Sequence, residues 1–531
     1  MKKLVSLLLA VLLVLSAFAV AEVNKDDYTP FENTVIIRNG RGDGFSFYGN
    51  GDEEWTSPED NKWLDMFKEY LNVEFDSVWL LTDDTDGSET RRQWDLAIVS
   101  GNIPMCGGVT TAQYEELLEA GLVADMTDIY EEYASDQVRA LVEGSPEMEY
   151  QTRDGKLYGL PVVSPSYGKY EMVVIRKDWM DAVGVTEVPT TIDGLLELGQ
   201  MFVDAKLGGE NTYALCIGGA NMSGGWGGIQ GFMTGYDVAW VSNCWVIDEE
   251  TNELYYGPTD EKVKDALLRL QDLYVNGLIR EDYLVTTAKE SFTAGEAGII
   301  YSYNAGPVQA VDLYALDDKV DLFAADAPTL TGEKPIYYDA AVPTGAFIVS
   351  ANTTEEERIA IMQGYNLTQA LFEDKDYDWG YYRNASPLVG QCESAYQRVL
   401  YYEDIAYAYE TGDLTQFKTA NSKTYYERTV NFEAGDRTLG KYYPIYRVPD
   451  GTYGVMYRAY KEDRMKNTAY LGVPTETMNE KSAALDTLLI NAANKVIMGA
   501  DISVWEDAVA EWYTTGGQTI TDEVNDWYQA Q

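Results

Sequence analysis

The chain runs to 531 residues, more than a single compact core usually holds and enough for two domains. Lys and Arg number 39 against 87 Asp and Glu, and the resulting charge of −48 disfavours nucleic acid and anionic membrane surfaces, both polyanions, as partners. Histidine is absent, which removes Ser-His-Asp and Cys-His catalysis and the commonest zinc ligand but leaves hydrolysis by a carboxylate pair open.

The first residues, MKKLVSLLLAVLLVLSAFAVAEV, join two lysines to an unbroken apolar run and an Ala-x-Ala ending, which predicts a secretory signal over residues 1–21. Leu4 to Ala21 is also long enough to span a bilayer, so retention as an anchor stays open. No cysteine stands at this junction to carry a lipid, and no later run is apolar enough to span a membrane. The mature chain is therefore expected outside the cell or in the cell envelope.

A short strand, TVIIR (34–38), leads into RNGRGDGFSFYGNGDEEW (38–55). A dinucleotide fingerprint fails there, because the last glycine of G-x-G-x-x-G falls on Phe45 or Phe47, and there is no G-K-[ST]. A loop directly after the first strand of an open α/β sheet borders the ligand cleft. Arg41 can donate and Asp43 can accept hydrogen bonds from hydroxyl groups, while Phe47, Tyr48 and Trp55 offer flat faces to the C–H side of a pyranose. The competing reading packs Phe45 and Phe47 inward.

Ser57-Pro58 opens a helix with Trp63, Leu64, Phe67 and Leu71 on its apolar face. TDDTDGSETRRQ (82–93) fails as a calcium loop at both end positions, and DEETNELYYGPT (248–259) lacks the glycine. LAIVSG (96–101) has the composition of a strand. Thr110 with Gln113 forms a capping box for a helix that Gly121 ends. Asp154-Gly155 makes a tight turn ahead of a strand, YGLPVV, with Pro161 at its end. MVVIR (172–176) is a strand whose continuation, Arg176 to Trp179, marks a strand-to-helix junction with scaffold charges. SGGWGG (223–228) exposes Trp226 between glycine pairs. Asp260 precedes a helix carrying Val263, Leu267, Leu270 and Tyr274, closed by Gly277.

Along the strand GIIYSY, Tyr301 and Tyr303 alternate, so that one of them, with Asn304 beside it, faces the cleft. GAFIVS (345–350) is a further strand, and Thr354 with Glu357 caps the helix after it. A tyrosine-rich region spans about 385–470, and a helical tail follows. There Ser503 with Glu506 caps a segment ending at Gly516-Gly517, and a last helix aligns Val524, Trp527 and Tyr528. Strands alternating with helices imply α/β layers with mainly parallel sheets. Cys106, Cys216, Cys244 and Cys392 show no metal spacing; Cys216 and Cys244 are nearest in sequence, and pairing is left open.

Several of these segments, in order, resemble the extracellular solute-binding proteins of ABC importers, family 1, in the large branch that handles oligosaccharides. They are DGKLYGLPVV (154–163), VIRKDWMDAVGV (174–185), LLRLQDLYVNGLI (267–279), FTAGEAGIIYS (292–302), GVPTETM (472–478), NKVIMGA (494–500) and GGQTITDEVNDWY (516–528). The resemblance implies a two-lobed α/β clamshell like periplasmic binding proteins, with discontinuous lobes and a helical C-terminal region. It places lobe 1 at 22–165 plus 346–468 and lobe 2 at 168–340 plus 470–531, with hinge crossings near 163–171, 336–346 and 465–472. Tyr167 falls at the first crossing and Tyr338 and Asp339 at the second, where the cleft floor would lie.

This sequence departs from the family's pattern at Met105, where relatives carry Asp, and at YSYNAGPV, where they often carry tryptophan. The resemblance implies a non-catalytic receptor that captures an oligosaccharide and passes it to the transmembrane subunits of an ABC permease. No cofactor is expected and no metal-ligating residues are singled out, while calcium elsewhere in the chain stays open. A monomer is expected. A secreted carbohydrate-active enzyme with a carboxylate pair, or a peptide or lipid receptor of the same architecture, are the alternatives.

Overall fold

Two apolar clusters that share no residue organise the chain. The computed structural model describes residues 28–42, 55–81, 87–163, 170–219, 222, 224–316, 319–340, 343, 345–372, 386–388, 397–418, 420–472 and 474–530. Backbone contacts divide the chain into unit 1, Met1–Ser164 with Pro343–Ala395 and Thr415–Lys423, and unit 2, Pro165–Val342 with Tyr396–Leu414 and Thr424–Gln531.

In unit 1, the strand Val35–Ile37 turns Val35 and Ile37 inward and Ile36 outward, the alternation a half-buried strand requires. It pairs in parallel with Val73–Phe75 across the helix Lys62–Leu71, which buries Trp63, Phe67 and Leu71. Asn61, rather than Ser57, caps that helix: its side chain accepts from the Leu64 N–H, and residues 55–61 form a short antiparallel ribbon instead. LAIVSG is not a strand. It completes the helix Ser88–Ser100, in which Trp94, Ala97 and Ile98 share the buried face, and Gly101 at φ 68° stops it. The Thr110–Gln113 capping box forms reciprocally at the start of Thr111–Glu119, as does the Thr354–Glu357 pair at Glu355–Phe372.

YGLPVV makes only single bridges, Tyr158 to Asp125 and Leu160 to Phe347, so it is an extended connector and not a ladder. Asp154 and Gly155, at φ 52° and 74°, instead turn a tight hairpin between Thr152–Arg153 and Lys156–Leu157.

Unit 2 centres on Met172–Arg176, every residue of which is buried, flanked antiparallel by Ile299–Ser302 and Leu322–Ala325. Both ladders of this sheet run against the expectation of mainly parallel pairing; among the described residues, parallel ladders form only two-stranded ribbons, with single parallel bridges such as Cys216 to Ile300 beside them. The junction reads as the sequence implied: Arg176 ends the strand, Lys177–Ala182 is helical, and the Arg176 guanidinium is buried against Asp178 and over Trp179.

Helices Gln397–Thr411, Ala420–Glu433, Tyr443–Tyr446 and Thr452–Lys461 carry the tyrosine-rich region. Contacts assign Tyr396–Leu414 and the chain from Thr424 onward to unit 2, whereas the sequence reading put 346–468 with the first lobe. The physical ties are Val399, Tyr401, Tyr402 and Ile405, which join the unit 2 core, and Arg447, which pairs with Asp321 beside the central sheet.

In the tail, Ser503 does not cap. The Asp501 carboxylate accepts from its N–H at 2.9 Å, and Ser503–Trp512 runs through a wide turn, Tyr513–Gly517, into Gln518–Gln529. A Cβ at Gly517 would lie 2.1 Å from the Trp512 ring, so the glycine at which the sequence ends the helix is a seat for that indole. Cys106, Cys216 and Cys244 are buried free thiols, so the pair nearest in sequence is not bridged. Among the described residues no helix is long and apolar enough to cross a membrane.

Candidate functional site

The densest convergence of sequence candidates lies in unit 2, around the glycine loop 224–231. Gly224, Gly225 and Gly227 have φ of 124°, 131° and 78°, values open to glycine at little cost. This backbone lies along the end of Ile299–Ser302: Gly227 N–H donates to Tyr301 O at 2.9 Å, and Tyr303 N–H donates to Gly225 O at 3.1 Å.

The anchor of the loop is Glu171, fully buried immediately before the central strand. One carboxylate oxygen accepts from Gly225 N–H and the other from Gly231 N–H at 2.8 Å, so a single side chain ties both ends of the loop. Burial raises this carboxyl to about 8, the amide donors of Gly231, Gly225 and Gln230 opposing the shift. Gly231 must be glycine, since a Cβ there would sit 2.4 Å from the Tyr301 ring. Gln230 then reaches across to donate to Tyr338 O at 3.2 Å, linking the loop to the strand Tyr337–Asp339.

Around this loop, Tyr303 and Tyr338 remain half-buried. Burial pushes the Tyr338 hydroxyl up to about 12, so it is neutral at ordinary pH and can both donate and accept. Trp226 is not exposed, as the flanking glycines suggested. It is 3% accessible, its ring edge-on to Phe292 at 5.3 Å, with Gly306 making room for it. Asn304 and Asp339 are likewise interior. Asn304 accepts from Ala305 N–H through its side chain and from Thr452 Oγ1 at 2.5 Å through its carbonyl, and Asp339 accepts from Ala340 N–H at 2.8 Å. Of the alternating pair, Tyr301 is buried and Tyr303 is the one partly accessible.

In unit 1, Arg41 lies on the strand Gly40–Gly42, paired in parallel with Trp79–Leu81, and is half-buried. Gly40 explains part of the glycine density after the first strand: a Cβ there would lie 2.3 Å from the Trp79 ring. Trp79 meets Trp94 edge-on at 5.4 Å, and Gly107 is kept bare by Trp94 and the Gly40 carbonyl. Asp43, Phe47, Tyr48 and Tyr167, and the side chain of Trp55, lie outside the described residues.

Sequence reasoning thus missed Glu171, Trp79 and Trp94. Glu171 carries a legible signal, an acid abutting a run of buried residues that continues as MVVIR, where only a satisfied carboxyl is tolerated. The tryptophans carry none, because their role depends on glycines distant in sequence.

A family model described as bacterial extracellular solute-binding protein matches residues 56–357. Among solved structures, an S. pneumoniae ABC-transporter substrate-binding protein, the FusA EF-hand mutant in complex with fructo-nystose, is similar at TM-score 0.59 and 14% identity, over 93% of this chain and 99% of that one. An HMO-binding, ABC-transporter-associated solute-binding protein from Bifidobacterium longum infantis is similar at TM-score 0.59 and 13% identity, over 93% and 98%. The alginate-binding protein AlgQ2 without calcium ion is similar at TM-score 0.56 and 13% identity, over 94% and 99%. At these identities the likeness establishes the fold class, the two-lobed α/β architecture of binding proteins. No curated protein matches the sequence.

Proposed function

Because the chain belongs to the bacterial extracellular solute-binding protein family, we propose that it is the binding component of a carbohydrate ABC importer, capturing an intact oligosaccharide and handing it to a membrane permease. The family match over 56–357 carries this reading. The similarity to proteins named for binding fructo-nystose and HMO supports the sugar class.

Capture is non-covalent. The one strongly perturbed buried carboxyl around the glycine loop, Glu171, is engaged by backbone amides and serves to hold that loop. Contacts to sugar are proposed for Tyr303 and Tyr338 in unit 2 and Arg41 in unit 1, with Asp43, Phe47, Tyr48, Trp55 and Tyr167 from the sequence reading. Half-buried tyrosines combine an apolar face with a hydroxyl that fixes orientation, which suits a pyranose. The mature protein begins after Ala21 and acts as a monomer.

The test is a glycan array on residues 22–531, followed by calorimetry and a reducing-end assay with the best ligand. A saturable fit to an oligosaccharide recovered uncut is expected. Failure to retain any glycan, or cleavage of the bound one, would reject the proposal.

A further inference from the structure

Acids outnumber bases 87 to 39 in this chain, and most described Lys and Arg side chains accordingly meet a carboxylate, as Lys156, Lys262 and Arg464 do. In the tyrosine-rich layer, two cations that meet no carboxylate share one ring. Arg428, on the helix Ala420–Glu433, holds its guanidinium carbon 4.3 Å from the centre of the Tyr442 ring and 5.9 Å from that of Tyr425. Lys441 brings its ammonium nitrogen to 4.9 Å from the same Tyr442 centre, so the two radii bound the separation of the cations at 9.2 Å. Both cations and the Tyr442 ring are half-buried. Neither cation has an ion pair or a hydrogen bond among the described residues.

Glu427, next to Arg428 on the same helix, is exposed and does not pair with it, and the other acids nearby are engaged elsewhere. Glu433 accepts the Tyr409 hydroxyl at 3.1 Å, Asp436 caps the turn at Thr438, and Asp321 and Asp450 pair with Arg447. Arg437, close by in sequence, has a structural tie: it donates to Val320 O at 2.9 Å and lies over Phe432. Arg428 and Lys441 have no such tie. The second ring near Arg428, Tyr425, is itself stacked on buried Tyr446 at 4.1 Å and 10°.

Two like charges gathered on one ring repel each other, and attraction to a partly exposed tyrosine offsets this only weakly. An oxyanion between them removes the repulsion and accepts charge-assisted hydrogen bonds from both, with the planar guanidinium matched to a carboxylate. We propose that Arg428 and Lys441, carried on Tyr442, form a binding site for a carboxylate, borne by an acidic saccharide or a small organic acid, made of residues other than those proposed to contact neutral sugar.

The experiment is calorimetric titration of the full mature chain with sodium glucuronate and with a galacturonate tetramer, at about 20 mM and about 200 mM NaCl, with glucose as neutral control. Both acids are expected to bind at low salt and to lose roughly tenfold in affinity at high salt. Arg428→Gln combined with Lys441→Gln is expected to lose at least about tenfold for both acids while glucose behaves identically in the two proteins. A tighter tetramer assigns the site to an acidic saccharide, and equal affinities assign it to a single acid group. Should the double variant melt early, Lys441→Gln alone, at a half-buried position, is expected to weaken both acids several-fold with unchanged melting. Acids that do not bind the wild-type chain, or that bind it and the folded variants alike, overturn the proposal. Neither result touches neutral-glycan capture, which the array tests separately.

Discussion

Two regions of unit 2 are rich in aromatic residues, and they hold them by different physics. In the layer built from residues 397–411 and 424–461, rings hold rings: Tyr425 stacks on Tyr446, Phe432 on Tyr443, and Tyr402 tilts against Tyr457 at 5.4 Å. Around the loop 224–231, backbone holds rings. Glycines with positive φ and the Glu171 carboxylate set the path of the chain, and Tyr303 is left half-buried at its edge. The 41 tyrosines therefore say little about a sugar site by their number; what separates a packing ring from a contacting one is whether its faces are already covered.

The sharpest way to break this contrast is to truncate one ring of each kind. Tyr446→Ala opens a cavity against Tyr425 and Tyr453 and is expected to cost about 3–5 kcal/mol in chemical denaturation, with glycan affinity of the folded fraction unchanged. A cost under about 1 kcal/mol would remove the distinction.

A pH series addresses the loop's anchor. The folded Glu171 carboxyl titrates near 8 and the unfolded one near 4.5, so the native state holds the extra proton between these values. Its stability contribution is complete below 4.5 and is lost as pH rises through 8, at up to roughly 1.4 kcal/mol per pH unit. Melting followed from pH 5 to 8 should show a shallower decline in Glu171→Gln than in the wild type; parallel curves would mean that the carboxyl does not titrate in this window.

Gly40→Ala pushes a methyl group into the Trp79 ring and is expected to destabilise by about 1–3 kcal/mol, read as a shifted urea midpoint. The smallest stability effect belongs to Tyr303→Ala, within about 1 kcal/mol, accompanied by a loss of at least about tenfold in glycan affinity. Unaltered affinity would take Tyr303 out of the proposed site.

The same contrast sorts what was legible in the sequence. Local chemistry was: both Thr-x-x-Glu/Gln capping boxes and the Asp154-Gly155 turn formed where three or four residues specify them. LAIVSG was not, because six apolar-rich residues fit either period until Trp94, seated in the fold beside Gly107, shows which face is buried. Trp226 looked exposed because Phe292 and Gly306, which cover it, lie more than sixty residues away. For the proposed site, Tyr303 was visible on an expected strand and Tyr338 at the second crossing that the resemblance implies, while Glu171 was hidden in plain sight beside a strand.

The three interior thiols have a practical consequence. Cys106 lies within the unit 1 core, while burial lifts Cys216 and Cys244 to about 12, so all three stay protonated and poorly nucleophilic while the fold persists. A maleimide dye added to the native Cys392→Ser protein should find them only after the chain opens, which turns these three cysteines into a built-in fluorescent clock for unfolding.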